Sequence, residues 1–366
     1  MKRKIGSEIK RALVLLGVAL GSTSAAQVPG DWWPDPTTQR GLSVWLTYSR
    51  DYDTVYSNLD TDPKHEMLVQ DQIAQLESEQ IEVVFVALSS RTEQPHLQSL
   101  SDPESQVSRD LRSFLNQLNA SKTGIRGCAA ILSTDFTGDS LERYVLVDHL
   151  IDFNANLEPT DAPLRCVSTD LEMRQGSLLL AVYDLWKQFH LNMKLRIAEK
   201  GAQLPLLAWM QGPDYLVSHL SAADQEKLQK REGVEPVGNG LYTGAIRYFT
   251  TQDGQAIFDA VIPMWYFASQ NPYARRLEHN FQELTSIEGE KPFLIAGIMI
   301  RNDTGLCCVD SDGNPVCIRS RAEYDGRLDF NDTFRAPASV FIGTGVFMWP
   351  VPDDWNCRLG NEARCN

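Results

Sequence analysis

An α/β fold, a single (β/α)8 barrel, is the class this sequence predicts, on three observations. Eight short and nearly continuous apolar runs read as strands covered on both faces, and segments of helical periodicity lie between most of them. Run starts recur roughly every 35–55 residues, the length of one βα unit with its loops. Eight parallel strands close on themselves without leaving an edge, which makes the barrel the economical arrangement. An open doubly wound sheet is the alternative, but it would usually carry a Gly-rich phosphate loop after the first strand, where Thr47-Tyr48-Ser49-Arg50-Asp51 stands.

Taken in order, the chain opens with a basic stretch (Lys2, Arg3, Lys4, Lys10, Arg11), an apolar run over residues 12–20 and the small residues Ser24-Ala25-Ala26. That is the pattern of a signal peptide over residues 1–26, and its apolar part is too short to span a bilayer. Residues 27–40, with Trp32, Trp33 and three prolines, are a lead-in segment expected to pack across one barrel end. Residues 41–366 are then one barrel with a disulfide-bearing C-terminal tail. Its strands are expected over residues 41–49, 81–89, 124–133, 165–173, 204–211, 259–267, 293–301 and 339–349. Helices are expected over residues 66–79, 104–119, 141–157, 175–200, 222–231 and 273–286, where apolar residues recur three and four apart with charges between.

Composition narrows the function. The 366 residues are 43% hydrophobic with a formal net charge of −14. No basic surface is available for nucleic acid or for an anionic membrane once the leader is cleaved. All seven cysteines follow the leader, so a secreted or periplasmic destination predicts disulfides. Short spacings suggest Cys307 or Cys308 with Cys317, and Cys357 with Cys365, while the odd count leaves at least one cysteine without a partner in the chain. No Cys-x-x-Cys occurs and the six histidines are scattered, so neither a metal nor another cofactor is expected. Asp310-Ser311-Asp312-Gly313-Asn314 faintly resembles a calcium loop, but Pro315 and Arg321 stand where Gly and Glu are required. A disulfide-closed hairpin is the better reading there.

A barrel works at the C-terminal tips of its strands. These tips deliver Tyr48, Asp135, Asp170 and Glu172, Trp209 with Gln211 and Asp214, Trp265 and Tyr266, Arg301 and Asp303, and Trp349 with Asp353. Carboxylates among aromatic rings suit a carbohydrate, since sugars stack on rings and glycosidic bonds are cleaved by carboxyl groups. Ser168-Thr169-Asp170-Leu171-Glu172 is the sharpest feature, because residues two apart on a strand share a side. Two carboxyl groups held that close do not readily both ionise, which leaves a proton available for acid catalysis. Each tryptophan also has a packing explanation, and Trp265, adjacent to Tyr266, should point away from the lumen.

Asp170-Leu171-Glu172 resembles the end of the Asp-x-x-Asp-x-Asp-x-Glu signature of family 18 glycoside hydrolases, the chitinases and endo-β-N-acetylglucosaminidases. Met264-Trp265-Tyr266 is similar to that family's Met-x-Tyr on strand 6, and residues 345–349 to its last strand ending in a stacking Trp. The resemblance implies that Glu172 is the general acid, that Asp170 orients a substrate N-acetyl group, that Tyr266 donates a hydrogen bond to it, and that Trp349 floors the subsite. It departs at Arg165 and Ser168, where the family has its two earlier aspartates, at Phe267, and at Ser133-Thr134-Asp135-Phe136. Asp135, Trp209, Gln211 and Tyr48 complete the expected substrate contacts. The function expected is an exported glycoside hydrolase acting on an oligo- or polysaccharide. A barrel that binds carbohydrate without cleaving it, and an unrelated barrel hydrolase, are its rivals.

Overall fold

The computed structural model describes residues 29–46, 63–88, 95–133, 144–171, 179–265, 269–299, 318, 321–336 and 339–348. The first half runs β1 (Leu42–Leu46), α1 (Pro63–Ser78), β2 (Val83–Ala87), α2 (Pro95–Ser99), α3 (Gln106–Asn119), β3 (Arg126–Ser133), α4 (Val147–Ala155), β4 (Val167–Leu171), α5 (Leu180–Glu199) and β5 (Leu206–Gln211). An insertion follows, made of α6 (Pro213–Ser218), α7 (Ala222–Glu232), strands β6 (Glu235–Gly238) and β7 (Leu241–Thr243), α8 (Ala245–Thr250), and strands β8 (Thr251–Gln252) and β9 (Gln255–Ala256). The chain then resumes as β10 (Ala260–Met264), α9 (Gln270–Ser286), β11 (Phe293–Met299), α10 (Arg321–Asp332) and β12 (Phe341–Met348).

Strands β1 to β5, β10, β11 and β12 form a closed parallel barrel in sequence order, with β12 pairing back onto β1. All eight expected strands are present, so the fold is a (β/α)8 barrel. Alternation along each strand separates two cores. One lies between the strands and the helices and includes Val44, Val84, Ile131, Val167, Ala208, Val261 and Val346. The other fills the lumen with Trp45, Phe85, Cys128, Ala130, Cys166, Leu207, Trp209, Ile262 and Ile295. At its N-terminal end Trp33 is 2% exposed and donates from Nε1 to the Ile342 carbonyl at 2.9 Å. Trp33 thus packs into that end of the lumen. Gly41, at φ +63°, and Gly343 meet backbone to backbone there, an approach with no room for a Cβ on either.

The helices form where an apolar stripe meets this wall. Helix α3 is capped by Ser105, whose side chain accepts from the Ser108 amide at 3.1 Å, and it buries Leu111, Phe114, Leu115 and Leu118. Helix α5 buries Tyr183, Trp186, Phe189, His190, Met193 and Ile197. Sequence periodicity does not show α10, which is polar and contains Gly326; it is held by burial of Tyr324, Arg327, Leu328 and Asn331 and by an Arg321–Glu79 ion pair at 2.6 Å. The two hairpins of the insertion were also outside the expectation. Their turns are nonetheless written in the chain: Asn239-Gly240 and Asp253-Gly254 all take positive φ, as two-residue turns require.

Candidate functional site

The mouth is built on β4. Cys166, Ser168 and Asp170 alternate onto the lumen side, while Thr169 faces the helices. Asp170 is 4% exposed and lies in register with Leu132 of β3 and Trp209 of β5. Behind it Thr169 Oγ1 is 2.8 Å from His190 Nε2, and His190 Nδ1 is 2.8 Å from the Trp186 carbonyl. A carbonyl can only accept, so Nδ1 carries the proton and Nε2 accepts from the threonine hydroxyl. Burial pushes the His190 pKa down to about 3, which keeps the ring neutral. A satisfied buried imidazole therefore ties the strand that carries Asp170 to helix α5.

Beneath the carboxylate the lumen is aromatic. Trp209 is fully buried and meets Trp45 edge-on at 5.3 Å and Phe85 at 5.6 Å, with Phe347 6.1 Å away. It forms the floor of the mouth rather than a face open to it. Gly345 makes this possible, since a Cβ there would stand 2.9 Å from Trp209 Cη2 and 3.1 Å from Ile262 Cγ2. Gln211 is half-buried at the end of β5, and its Oε1 has no hydrogen-bond partner among the described residues. Ser168 Oγ is likewise buried without one.

Cys128 of β3 and Cys166 at the foot of β4 are joined by a disulfide inside the lumen, both fully buried, with Cα atoms 4.7 Å apart. Short sequence spacings do not show this pair, which is separated by 38 residues. Parallel pairing of β3 with β4 makes the two neighbours. The Cys307, Cys308, Cys317, Cys357 and Cys365 pairings lie outside the described residues, as do Tyr48, Asp135, Glu172, Tyr266 and Trp349. Trp265, by contrast, turns outward and is buried against Tyr273 at 6.2 Å. Asp214 belongs to the insertion: it accepts from the Tyr242 amide at 2.7 Å and from Asn280 Nδ2 at 3.3 Å, and burial pushes its carboxyl up. Its task is to latch the β6–β7 hairpin.

What the described part of the mouth offers is a nearly buried carboxylate, an unpaired hydroxyl and an unpaired amide oxygen above an apolar aromatic floor. Such a floor excludes water and strengthens any polar contact made above it. No group of three or more His, Cys, Asp or Glu suited to a metal occurs among the described residues. No helix among them is long and apolar enough to cross a membrane. Ser168 was within reach of sequence alternation from Asp170, whereas nothing in the sequence pairs His190 with Thr169.

No protein-family model and no curated protein matches this sequence. Among solved structures, the chain is similar to the ICChI chitinase of Ipomoea carnea, at 10% identity over 86% of this chain and 96% of that one, with a TM-score of 0.44. It is similar to a chitinase of Chromobacterium violaceum at 11% identity, over 86% and 94% of the two chains, with a TM-score of 0.40. A GH113 β-1,4-mannanase matches at 14% identity over 85% and 89%, with a TM-score of 0.45. These neighbours are two chitinases and a mannanase; at such identities and scores the likeness is distant and assigns this chain no activity.

Proposed function

We propose that the protein is an exported glycoside hydrolase that cleaves an oligo- or polysaccharide at the C-terminal mouth of the barrel. The observation that carries the reading is Asp170, a carboxylate at 4% exposure on β4 above an aromatic floor. Glu172 stands two residues beyond Asp170 in the sequence, the spacing at which residues of a strand share a side. In this reading Glu172 protonates the departing glycosidic oxygen. Asp170 orients the group that attacks the anomeric carbon, the substrate's own N-acetyl oxygen if the sugar carries one. Tyr266, Trp349, Asp135, Gln211 and Tyr48 supply the remaining contacts. A lumenal disulfide supports export, since such a bond persists in an oxidising compartment.

Purified protein tested on aryl glycosides, N-acetylglucosaminides included, decides the matter. Turnover is expected, and Glu172→Gln should reduce it by roughly 10²- to 10⁴-fold, because Gln keeps the shape but carries no transferable proton. Activity within a few-fold of the native enzyme would overturn the assignment of Glu172. A second reading, carbohydrate binding without cleavage, is favoured by Ser168, a hydroxyl at the lumen position where the resembling signature has an aspartate. It is supported if oligosaccharides bind the native protein and none is hydrolysed.

A further inference from the structure

Outside the barrel, the insertion creates a second cavity. Helix α8, only six residues long, packs on α6 and α9 in the place where the other connections carry longer helices, and a cleft of about 730 Å³ remains between α5, α7, α8 and the end of α9. Lys187 of α5 lines it at 6% exposure, with Nζ 4.3 Å from the centre of the Tyr248 ring. The two carboxylates that act on it most, Glu232 and Asp184, are engaged by other groups. Asp184 receives both terminal nitrogens of Arg231, at 2.8 and 2.7 Å, and the Tyr248 hydroxyl at 2.7 Å. Glu232 accepts from Arg231 Nε at 2.9 Å. Among the described residues the Lys187 ammonium therefore has a ring beneath it, no oxygen acceptor, and the cleft in front of it. Burial also lowers its proton affinity, as an ammonium short of acceptors requires.

Arg247 also lines the cleft, and the only hydrogen bond of its guanidinium among the described residues goes to the Glu232 carbonyl. The cleft is also lined by acids: Glu283, whose carboxyl lies within reach of the Arg247 charge, Asp253, at the β8–β9 turn and near enough to act on Lys187, and Glu288, just beyond α9; the last two are exposed and have no ion pair among the described residues. A dianion would meet Lys187 but also these acids, and an apolar ligand would leave both walls unsatisfied. A molecule charged at both ends satisfies both.

We propose that this cleft binds a small zwitterion, a free amino acid or short peptide, with its carboxylate on Lys187 and Arg247 and its ammonium toward Asp253 and Glu288. The cleft is of the size that holds such a ligand. It lies on the outer face of the barrel and is independent of any chemistry at the mouth.

Calorimetric titration of the full chain with glycine, lysine and diglycine, and with acetate and ethylamine as single-charge controls, tests this. At least one zwitterion should bind at millimolar concentration or better, with both controls at least about tenfold weaker. Lys187→Met should weaken that zwitterion by at least about tenfold while the thermal melt stays cooperative. Asp253→Asn combined with Glu288→Gln, both on the exposed rim, should weaken the zwitterion without weakening acetate, since it removes only negative charge; this arm decides if Lys187→Met does not fold. Absence of zwitterion binding, equal binding of acetate, or an unaltered affinity in the rim variant overturns the proposal.

Discussion

Replacing His190 by leucine should destabilise the protein at neutral pH and much less so in acid. The ring bridges β4 and α5 by accepting from the Thr169 hydroxyl and donating to the Trp186 carbonyl, both at 2.8 Å and with the imidazole fully buried. Leucine fills a similar volume but leaves two buried polar groups without their partner, at about 1–3 kcal/mol each, so roughly 2–6 kcal/mol is lost above neutrality. The native imidazole titrates at about 3, against an ordinary value of 6.5. Between those values the unfolded chain binds the proton and the folded one does not. Its contribution is therefore complete above pH 6.5 and is lost as pH falls toward 3, by about 1.4 kcal/mol per pH unit. From about pH 7.5 to about pH 4.5 the native protein loses about 2.7 kcal/mol through this one group, and the variant does not. Urea unfolding of both proteins across that range, followed by tryptophan fluorescence, gives the difference directly. The buried carboxyls pushed up by desolvation, Asp214 and Asp259 among them, act with the opposite sign but are common to both proteins and cancel. A difference in stability that does not change with pH would refute the neutral buried ring.

Removing the lumenal disulfide as Cys128→Ala with Cys166→Ala should cost about 4 kcal/mol from the 38-residue loop it closes, read as a lower urea midpoint. Because both sulfurs are fully buried, thiol labelling at Cys128 and Cys166 in the native protein after mild reduction should be negligible and should become complete only in denaturant, as peptide mass spectrometry would report. Gly345→Val should crowd Trp209 and Ile262, lowering stability by roughly 1–3 kcal/mol with a visible change in near-ultraviolet circular dichroism. Trp209→Ala should cost about 3–5 kcal/mol by emptying the lumen, whereas an unchanged melting temperature would argue that the ring is not a packing element. Asp170→Asn should lower kcat on any glycoside the protein cleaves while leaving the melt within about 1 kcal/mol of the native protein, a split between chemistry and folding that a purely structural carboxylate would not produce.

The eight strands were legible because a strand covered on both faces must be apolar almost throughout, and such runs, as in residues 81–89 and 293–301, have no other economical reading. Alternation from Asp170 was enough to set Cys166 and Ser168 on the lumen side, since a side-chain period of two is local to the strand. The hairpin turns at Asn239-Gly240 and Asp253-Gly254 were equally local, since these dipeptides accommodate the positive φ that such turns require. Helix α10 was hidden, because two of its four buried residues, Arg327 and Asn331, are polar and the helix is placed by long-range contacts such as Asn331 with Thr344 of β12 and Arg321 with Glu79. What tertiary structure alone decided are the contacts between residues far apart in sequence. Cys128 meets Cys166 because β3 and β4 are neighbours in a closed sheet, Trp209 became floor because three other rings converge on it, and Asp214 was drawn away from the mouth by an amide 28 residues on. Periodicity says which side of its own element a residue faces; only closure of the barrel says what stands opposite, because that depends on how many strands close the ring and in what register.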